Sequence, residues 1–129
     1  MSFFPLFHNT KNLKVLLVGG GIIAKRRATG LLRAGVSFDV VATYFEEGLP
    51  EMVAKAGGTL TQAAYAGIED LQGYDLVSAL TDNRQVNQQV AQDARALGLL
   101  VNISDLPDEG NVIFGAVIDR APLTIAINN

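Results

Sequence analysis

The chain has 129 residues, 49% of them hydrophobic, and carries a formal net charge of -3 with no cysteine. This length suits a single domain with a substantial core, and the charge argues against a nucleic-acid-binding face, which is usually basic. The absence of cysteine leaves neither a disulfide framework nor a thiolate metal site and agrees with a cytoplasmic protein. No apolar run reaches membrane-spanning length, and the first residues lack the features of a secretory signal.

The first residues are unusually apolar for the start of a chain. Because an apolar segment is stable only when it packs on something, residues 3–7 are predicted to form a short strand or loop held at the edge of a sheet. His8, the only histidine, is predicted to lie at the surface. Residues 14–18, which are apolar from Val15 onward, then predict a first strand, of the kind found in a parallel sheet covered on both faces.

Three consecutive glycines follow this strand, and helical spacing of apolar residues begins directly after them. The order Gly19-x-Gly21-x-x-Ala24 matches the turn of dinucleotide-binding domains. In that turn the first glycine permits a sharp reversal, the second lets the backbone approach a pyrophosphate, and the small third residue lets helix pack on strand. The N-terminus of the helix also favours an anion. The pattern predicts dinucleotide binding, although the same glycines occur at purely structural junctions between a strand and a helix.

The remaining elements alternate in type along the chain. The predicted order is a helix over 22–34, a strand over 36–43, a helix over 46–56, a strand over 59–63, a short helix or turn over 65–71, a strand over 74–80, a helix capped by Asp82 or Asn83 that ends before Gly98, and a strand over 99–105. Two further strands, over 111–119 and 123–128, leave no room for a crossover helix. The expected fold is α/β, a Rossmann-like doubly wound parallel sheet with a C-terminal antiparallel strand extension.

Parallel sheets bind their ligands at the carboxyl ends of the strands. Thr43 and Tyr44 end the second strand, where NAD enzymes usually have a carboxylate for the ribose hydroxyls, so the choice between NAD and NADP stays open. Thr81 and Asp82 follow the fourth strand and are predicted to line the cofactor crevice.

A polar group ends the fifth strand. Asn102, Ser104 and Asp105 are therefore expected near the mouth of the same crevice. Asp105 has a simpler alternative role, because an aspartate ahead of Leu106-Pro107 could merely cap the turn.

Five separated segments then point to one family. They are Pro5-Leu6-Phe7, residues 18–21, residues 81–83 with Val86-Asn87, residues 101–105 and residues 118–127. In order and approximate spacing they resemble the siroheme synthase N-terminal family, the NAD-dependent precorrin-2 dehydrogenases, some of which are also sirohydrochlorin ferrochelatases. The resemblance covers essentially the whole chain and implies one NAD-binding Rossmann domain over residues 1–129. It also implies oxidation of precorrin-2 to sirohydrochlorin with hydride transfer to NAD and, in some members, insertion of Fe²⁺.

The resemblance assigns roles to particular residues. An aspartate after the V-N-x-x segment is the key residue for dehydrogenation and chelation in that family, which makes Asp105 the expected catalytic residue. The expected cofactor-binding residues are Gly19, Gly20, Gly21, Ile22, Ile23, Ala24, Thr43, Tyr44, Thr81 and Asp82. The expected substrate-binding residues are Asn102, Ser104 and Arg120. A carboxylate suits both proton transfer and a transient contact with Fe²⁺, and no permanent metal site is expected.

The chain departs from the family pattern in three places, the mildest of which is Ala121, where many members have glycine or serine. Gly115 stands where the family usually has a proline after the phenylalanine, and the family's C-terminal helical region, which supports dimerisation, is absent. The chain is therefore expected to be a truncated or naturally short member whose turnover on its own is in question. A homodimer is still expected, because Phe3, Phe4 and Phe7 and the uncovered closing strands are apolar.

Two alternatives remain to the enzyme. The first is a non-catalytic dinucleotide-sensing Rossmann regulatory module, although such modules usually keep a ribose-binding acid after the second strand. The second is a degenerate scaffold that has lost its activity.

Overall fold

A five-stranded parallel sheet forms the centre of the molecule. The structure, a computed structural model, describes residues 2–128; residues 1 and 129 of the predicted domain lie outside this range. The strands are β1 (Val15–Val18), β2 (Phe38–Ala42), β3 (Leu60–Gln62), β4 (Leu76–Ala79) and β5 (Leu100–Ile103), and they are ordered β3-β2-β1-β4-β5. The chain reverses its direction of travel across the sheet between β1 and β4, which makes this edge the topological switch point.

Helices cover both faces of the sheet. They are α1 (Ile22–Arg33), α2 (Leu49–Lys55) and α3 (Arg84–Ala96), and short 3-10 helices lie at Thr10–Asn12, Ile68–Leu71 and Pro107–Glu109. Val15 and Leu17 pack in a core with α1 and α2, whereas Leu16 and Val18 pack in a second core with α3. All four residues of β1 are therefore buried, as expected of a parallel strand covered on both faces. The predicted Rossmann-like, doubly wound α/β fold is confirmed.

The predicted start of the second helix, at residue 46, is wrong. The helix begins at Leu49, after Gly48 with φ +90°, a left-handed conformation that ends any continuous helix through this point. The Glu46 N–H instead donates to the Gly20 carbonyl at 2.7 Å. The loop between β2 and α2 is therefore bonded to the glycine turn and helps to fix its position.

The chain closes with a separate antiparallel hairpin of β6 (Ala116–Arg120) and β7 (Leu123–Ile127). The predicted pairing is confirmed, but the predicted strand start at residue 111 is wrong. Asn111 instead lies along the outer edge of β5, where its N–H donates to the Val101 carbonyl at 2.8 Å and its Oδ1 accepts from the Val101 N–H at 2.7 Å. Val112 and Phe114 pack against the core beside α1 and α2, so the segment before β6 covers the sheet and does not extend the hairpin.

The expectation that residues 3–7 pack at a sheet edge is also wrong. These residues form no strand, and the side chains of Phe4 and Phe7 are 86% and 69% exposed. One edge of the sheet, β5, is already bonded to Asn111, and the other, β3, has only three residues. Because neither edge strand has room to pair with residues 3–7, the apolar side chains of this segment stay exposed.

None of the helices described between residues 2 and 128 is both long and apolar enough to span a bilayer.

The hairpin has one apolar face. Directly paired residues of an antiparallel ladder share a face, so the pairs Ile118–Ile125 and Ala116–Ile127 lie together with Leu123, which is 58% exposed. The opposite, more polar face carries the Val117–Ala126 pair together with Asp119 and Thr124, which are joined by a hydrogen bond of 3.2 Å, and Arg120 lies on the apolar face opposite Leu123.

We expect this apolar face to drive self-association. The charge in Ile118→Lys disrupts any apolar contact there, whereas the matched Thr124→Lys places the same charge on the polar face. Light scattering across a wide concentration range should show assemblies for the parent chain and for Thr124→Lys, and a monomer for Ile118→Lys. A parent chain that is monomeric at every concentration contradicts the expectation.

Candidate functional site

The glycine turn is held by backbone contacts that leave no room for side chains. The Gly19 N–H donates to the Val41 carbonyl at 2.9 Å, and its φ of +122° is a conformation that L residues rarely adopt. A Cβ on Gly20 would lie 2.1 Å from the Tyr44 carbonyl oxygen. Gly19 therefore sets the turn, as predicted, and Gly20 lets the loop after β2 lie against it.

Gly21 is the N-cap of α1 and leaves the helix N-terminus open. The N-terminus of α1 has no side-chain cap, and its first turn contains no acidic residue. Ile22 and Ile23, the first two residues of the helix, are exposed. The first N–H groups are therefore free to meet an anion, to which the helix dipole is attracted. Ala24 is fully buried in the core beside β1, in agreement with the predicted packing of helix on strand, and its methyl group faces no cavity.

A cavity of about 250 Å³, the glycine-loop cavity, opens at the carboxyl ends of β1, β2 and β4. Seven of the predicted cofactor residues line it: Gly19, Gly20, Gly21, Thr43, Tyr44, Thr81 and Asp82. It lies at the topological switch point, where doubly wound folds bind their ligands. The open helix N-terminus and the glycine cradle fit a dinucleotide pyrophosphate. Neutral Thr43 ends β2, so no carboxylate selects for or against a 2′-phosphate there.

A second cavity of about 550 Å³, the β5 cavity, adjoins the first. It is lined by Gly21, Ile22, Ile23, Arg27, Tyr44, Leu80, Thr81, Asp82, Asn102, Ile103, Ser104, Asp105, Pro107, Ile113 and Phe114. Gly21, Tyr44, Thr81 and Asp82 line both cavities. The arrangement can therefore hold one end of a cofactor beside a second molecule. Arg120, at the end of β6, lines neither cavity.

Asp105 points its carboxylate at an arginine and does not cap the turn. Arg84 Nη1 donates to Asp105 Oδ1 at 2.9 Å, and Arg84 Nη2 donates to Glu109. The 3-10 helix that follows begins at Pro107 and receives no side-chain cap. Both partners of the ion pair are partly exposed, so the pair orients the carboxylate more than it stabilises the fold.

Asn102 lies in the wall of the β5 cavity, but its side-chain amide makes hydrogen bonds within the protein. Its Oδ1 accepts from the buried Ser78 hydroxyl at 2.8 Å, and its Nδ2 donates to the Val112 carbonyl at 3.4 Å. These bonds tie β4 to β5 and to the segment before the hairpin. Ser104 lies half-buried in the same wall, with its N–H donating to the Ala79 carbonyl.

Asn87 is a supporting residue whose role the sequence reasoning missed. It is fully buried on α3, its Oδ1 accepts from the Thr81 hydroxyl at 2.6 Å, and its Nδ2 donates to the Thr81 carbonyl at 3.0 Å. The helix itself is capped by Asn83, whose Oδ1 accepts from two first-turn N–H groups. The signal was available, because Asn87 lies three and four residues before buried Val90 and Ala91 and so shares their face.

The fold and the site define a dinucleotide-binding Rossmann domain. Residues 6–116 match the model of a family described as "Putative NAD(P)-binding", and the chain belongs to this family. It is 45% identical over its full length to a siroheme synthase of Stutzerimonas stutzeri and 44% identical to one of Azotobacter vinelandii. In each case the chain spans 28% of the relative's length. The resemblance seen in the five sequence segments is thereby confirmed.

A solved structure points the same way. The protein named "SirC, precorrin-2 dehydrogenase" superimposes with a TM-score of 0.78 at 29% sequence identity, over 98% of this chain and 61% of that one.

Gly21→Asp tests the glycine-loop cavity. Aspartate is a favourable N-cap and Gly21 has an ordinary φ of -84°. A Cβ there would lie 3.0 Å from the Tyr44 hydroxyl, which is the far end of an exposed side chain and can move, so the variant should fold about as stably as the parent. Its carboxylate would occupy the anion site, and binding of NAD should weaken roughly tenfold or more, since like charges in contact cost several kcal/mol.

Gly30→Asp is the matched control, because it places the same residue in open space on the same helix. Calorimetry should give parent-like NAD affinity for Gly30→Asp. Parent-like affinity for Gly21→Asp would show that the dinucleotide binds elsewhere.

Proposed function

We propose that this chain carries the dehydrogenase site that oxidises precorrin-2 to sirohydrochlorin, with NAD as the hydride acceptor. One observation carries the proposal: the β5 cavity is lined both by the open N-terminus of α1 and by the carboxylate of Asp105. A hydride acceptor and a proton acceptor can thus reach the same substrate. The names of the relatives, siroheme synthase and precorrin-2 dehydrogenase, support this substrate.

The two cavities are proposed to bind different parts of the cofactor. The N–H groups of Gly21, Ile22 and Ile23 bind the pyrophosphate, and the glycine-loop cavity receives the adenosine part beside Thr43 and Tyr44. Gly21, Tyr44, Thr81 and Asp82, which line both cavities, would hold the nicotinamide end of NAD, and NAD bound there would supply hydride acceptance.

Asp105 takes the proton that leaves the macrocycle. Arg84 engages Oδ1 and so turns the carboxylate, leaving Oδ2 as the oxygen that accepts the proton. Oxidation of the substrate releases one hydride, which bound NAD would accept, and one proton, which Asp105 takes up and returns to solvent because the residue is exposed. Ser104 and Arg120 are proposed to contact the substrate. Arg120 does so only if another segment or chain brings it to the cavity.

NAD is proposed over NADP on the family resemblance alone, since neutral Thr43 discriminates weakly. Insertion of Fe²⁺ into the product is proposed as a second use of Asp105, in which the carboxylate contacts the metal in transit. A homodimer is proposed from the apolar hairpin face. The sensing module receives no such support, because the similar proteins are named for a synthase and a dehydrogenase.

Asp105→Asn separates a proton acceptor from an orienting or structural residue. Asparagine keeps the shape and removes the basic oxygen, so oxidation of precorrin-2 should fall about a hundredfold or more. Loss of one exposed ion pair should cost the fold no more than about 1 kcal/mol. NAD affinity and the thermal midpoint should therefore stay near those of the parent. The assay follows NADH formation by absorbance, in this chain and in the same chain joined to the C-terminal region of a relative.

Asp108→Asn is the matched control, because Asp108 is an exposed neighbour that lines neither cavity. Its rate should equal that of the parent. Asp105→Asn oxidising precorrin-2 at the parent rate would remove Asp105 from the mechanism, and a parent chain inactive in both forms would contradict the proposed function itself.

A further inference from the structure

Arg27 occupies a part of the β5 cavity that the proposed mechanism does not use. It lies on α1, beyond the turn that faces the pyrophosphate, and it lines the β5 cavity but not the glycine-loop cavity. Its guanidinium carbon stands 3.9 Å from the centroid of the Phe114 ring, which fixes the plane of the group by a cation–π contact. Arg27 is thus a partly buried cation held in one orientation at the cavity wall.

This cation lacks a counter-ion within the described chain. Both ion pairs found among residues 2–128 are made by Arg84, and the buried Nε of Arg27 has no hydrogen-bond partner there. Burial lowers the pKa of Arg27, and the neighbouring Arg26 lowers it further by repulsion. Of the carboxylates in the cavity wall, Asp105 is bound to Arg84 and Asp82 is exposed.

Arg27 is partly buried, and its Nε is the nitrogen that is buried without a hydrogen-bond partner, so the lost hydration of this N–H is not repaid. Packing against Phe114 restores a part of this loss, but an aromatic face cannot accept the in-plane N–H bonds of the guanidinium. These donors form a planar fork that matches a carboxylate in a bidentate geometry. An anion that enters the β5 cavity would therefore meet an unpaired guanidinium that Phe114 already orients.

We propose that Arg27 is a specificity-determining residue that binds a carboxylate side chain of the substrate in the β5 cavity. The inference rests on the proposed function, in which the substrate is a tetrapyrrole whose rim carries acetate and propionate groups. A phosphate of the dinucleotide is the other anion near α1, and the position of Arg27 away from the glycine-loop cavity favours the substrate. Arg27 anchors the rim of the macrocycle while Asp105 acts on its interior.

Arg27→Gln and Arg26→Gln form a matched pair for the test. Both remove one positive charge from adjacent positions of the same helix, but Arg26 is exposed and lines neither cavity. The 129-residue chain is titrated with sirohydrochlorin by absorbance and with NAD by calorimetry. Arg27→Gln should bind sirohydrochlorin roughly tenfold or more weakly, the loss of a charge-assisted hydrogen bond, with NAD affinity within about twofold of the parent. Arg26→Gln should match the parent for both ligands.

Thermal unfolding without ligand supplies the readout that a structural role would move. Since the proposal holds that Arg27 is kept for its ligand, Arg27→Gln should unfold at or above the parent midpoint. Arg27→Lys keeps the charge and loses the fork, and should recover only a part of the sirohydrochlorin affinity.

Three results would overturn the proposal. Equal sirohydrochlorin affinity in the parent and Arg27→Gln removes the contact while leaving the proposed function standing. Weakened NAD binding with unchanged sirohydrochlorin binding assigns the anion to the dinucleotide. A parent chain that binds no sirohydrochlorin at all contradicts the proposed function, and this proposal with it.

Discussion

The close approach of two backbones at Gly20 is the constraint on which the site depends. A Cβ there would overlap the Tyr44 carbonyl, and the Gly20 carbonyl in turn accepts from the Glu46 N–H at 2.7 Å. This contact locks the loop after β2 onto the turn after β1. It delays the start of α2 and brings Tyr44 beside Gly21, where the two residues form the border between the cavities.

On the other side of the switch point, the loops after β4 and β5 are also held by contacts within the protein. Here the contacts are made by side chains. Asn87 bonds the backbone and hydroxyl of Thr81, and Asn102 joins Ser78 to Val112. Buried amides of this kind must be satisfied, so each specifies a single arrangement of the loop that it holds. The site is thus shaped by polar groups whose hydrogen bonds are made within the protein, while Asp105 and Arg27 line the cavity that these groups help to shape.

Much of this arrangement follows from the sequence. Apolar runs with helical spacing between them determine the alternating elements, and Gly19-x-Gly21-x-x-Ala24 determines the turn, because each position has a local steric reason that requires no distant partner. The parallel order places the ends of β1, β2, β4 and β5 at one edge, so the polar residues after them could be expected to lie together. Helix boundaries set by tertiary contacts, such as that of α2, could not be read locally.

The roles of site residues were harder to predict where they depend on partners that are distant in the sequence. Asn102 was expected to bind substrate, yet its amide is bonded to Ser78 and Val112 within the protein, a partnership that spans distant parts of the chain. Arg27 belongs to the basic run 25–27, which the sequence shows, but only the packing of Phe114 and the lack of an ion pair among residues 2–128 distinguish it from its neighbours. The prediction for residues 3–7 was wrong because it rested on composition alone. Their apolar side chains favour burial, but the sheet has no free edge on which they could pack.

We propose that one NAD molecule spans both cavities, with its phosphates at the N-terminus of α1 and its nicotinamide beside Asp105. A crystal structure of the chain with NAD bound tests this claim most directly. The account predicts that the pyrophosphate accepts from the N–H groups of Gly21, Ile22 and Ile23, that the adenosine lies near Thr43, and that the nicotinamide enters the β5 cavity. A nicotinamide in the glycine-loop cavity, or a pyrophosphate away from α1, would contradict it.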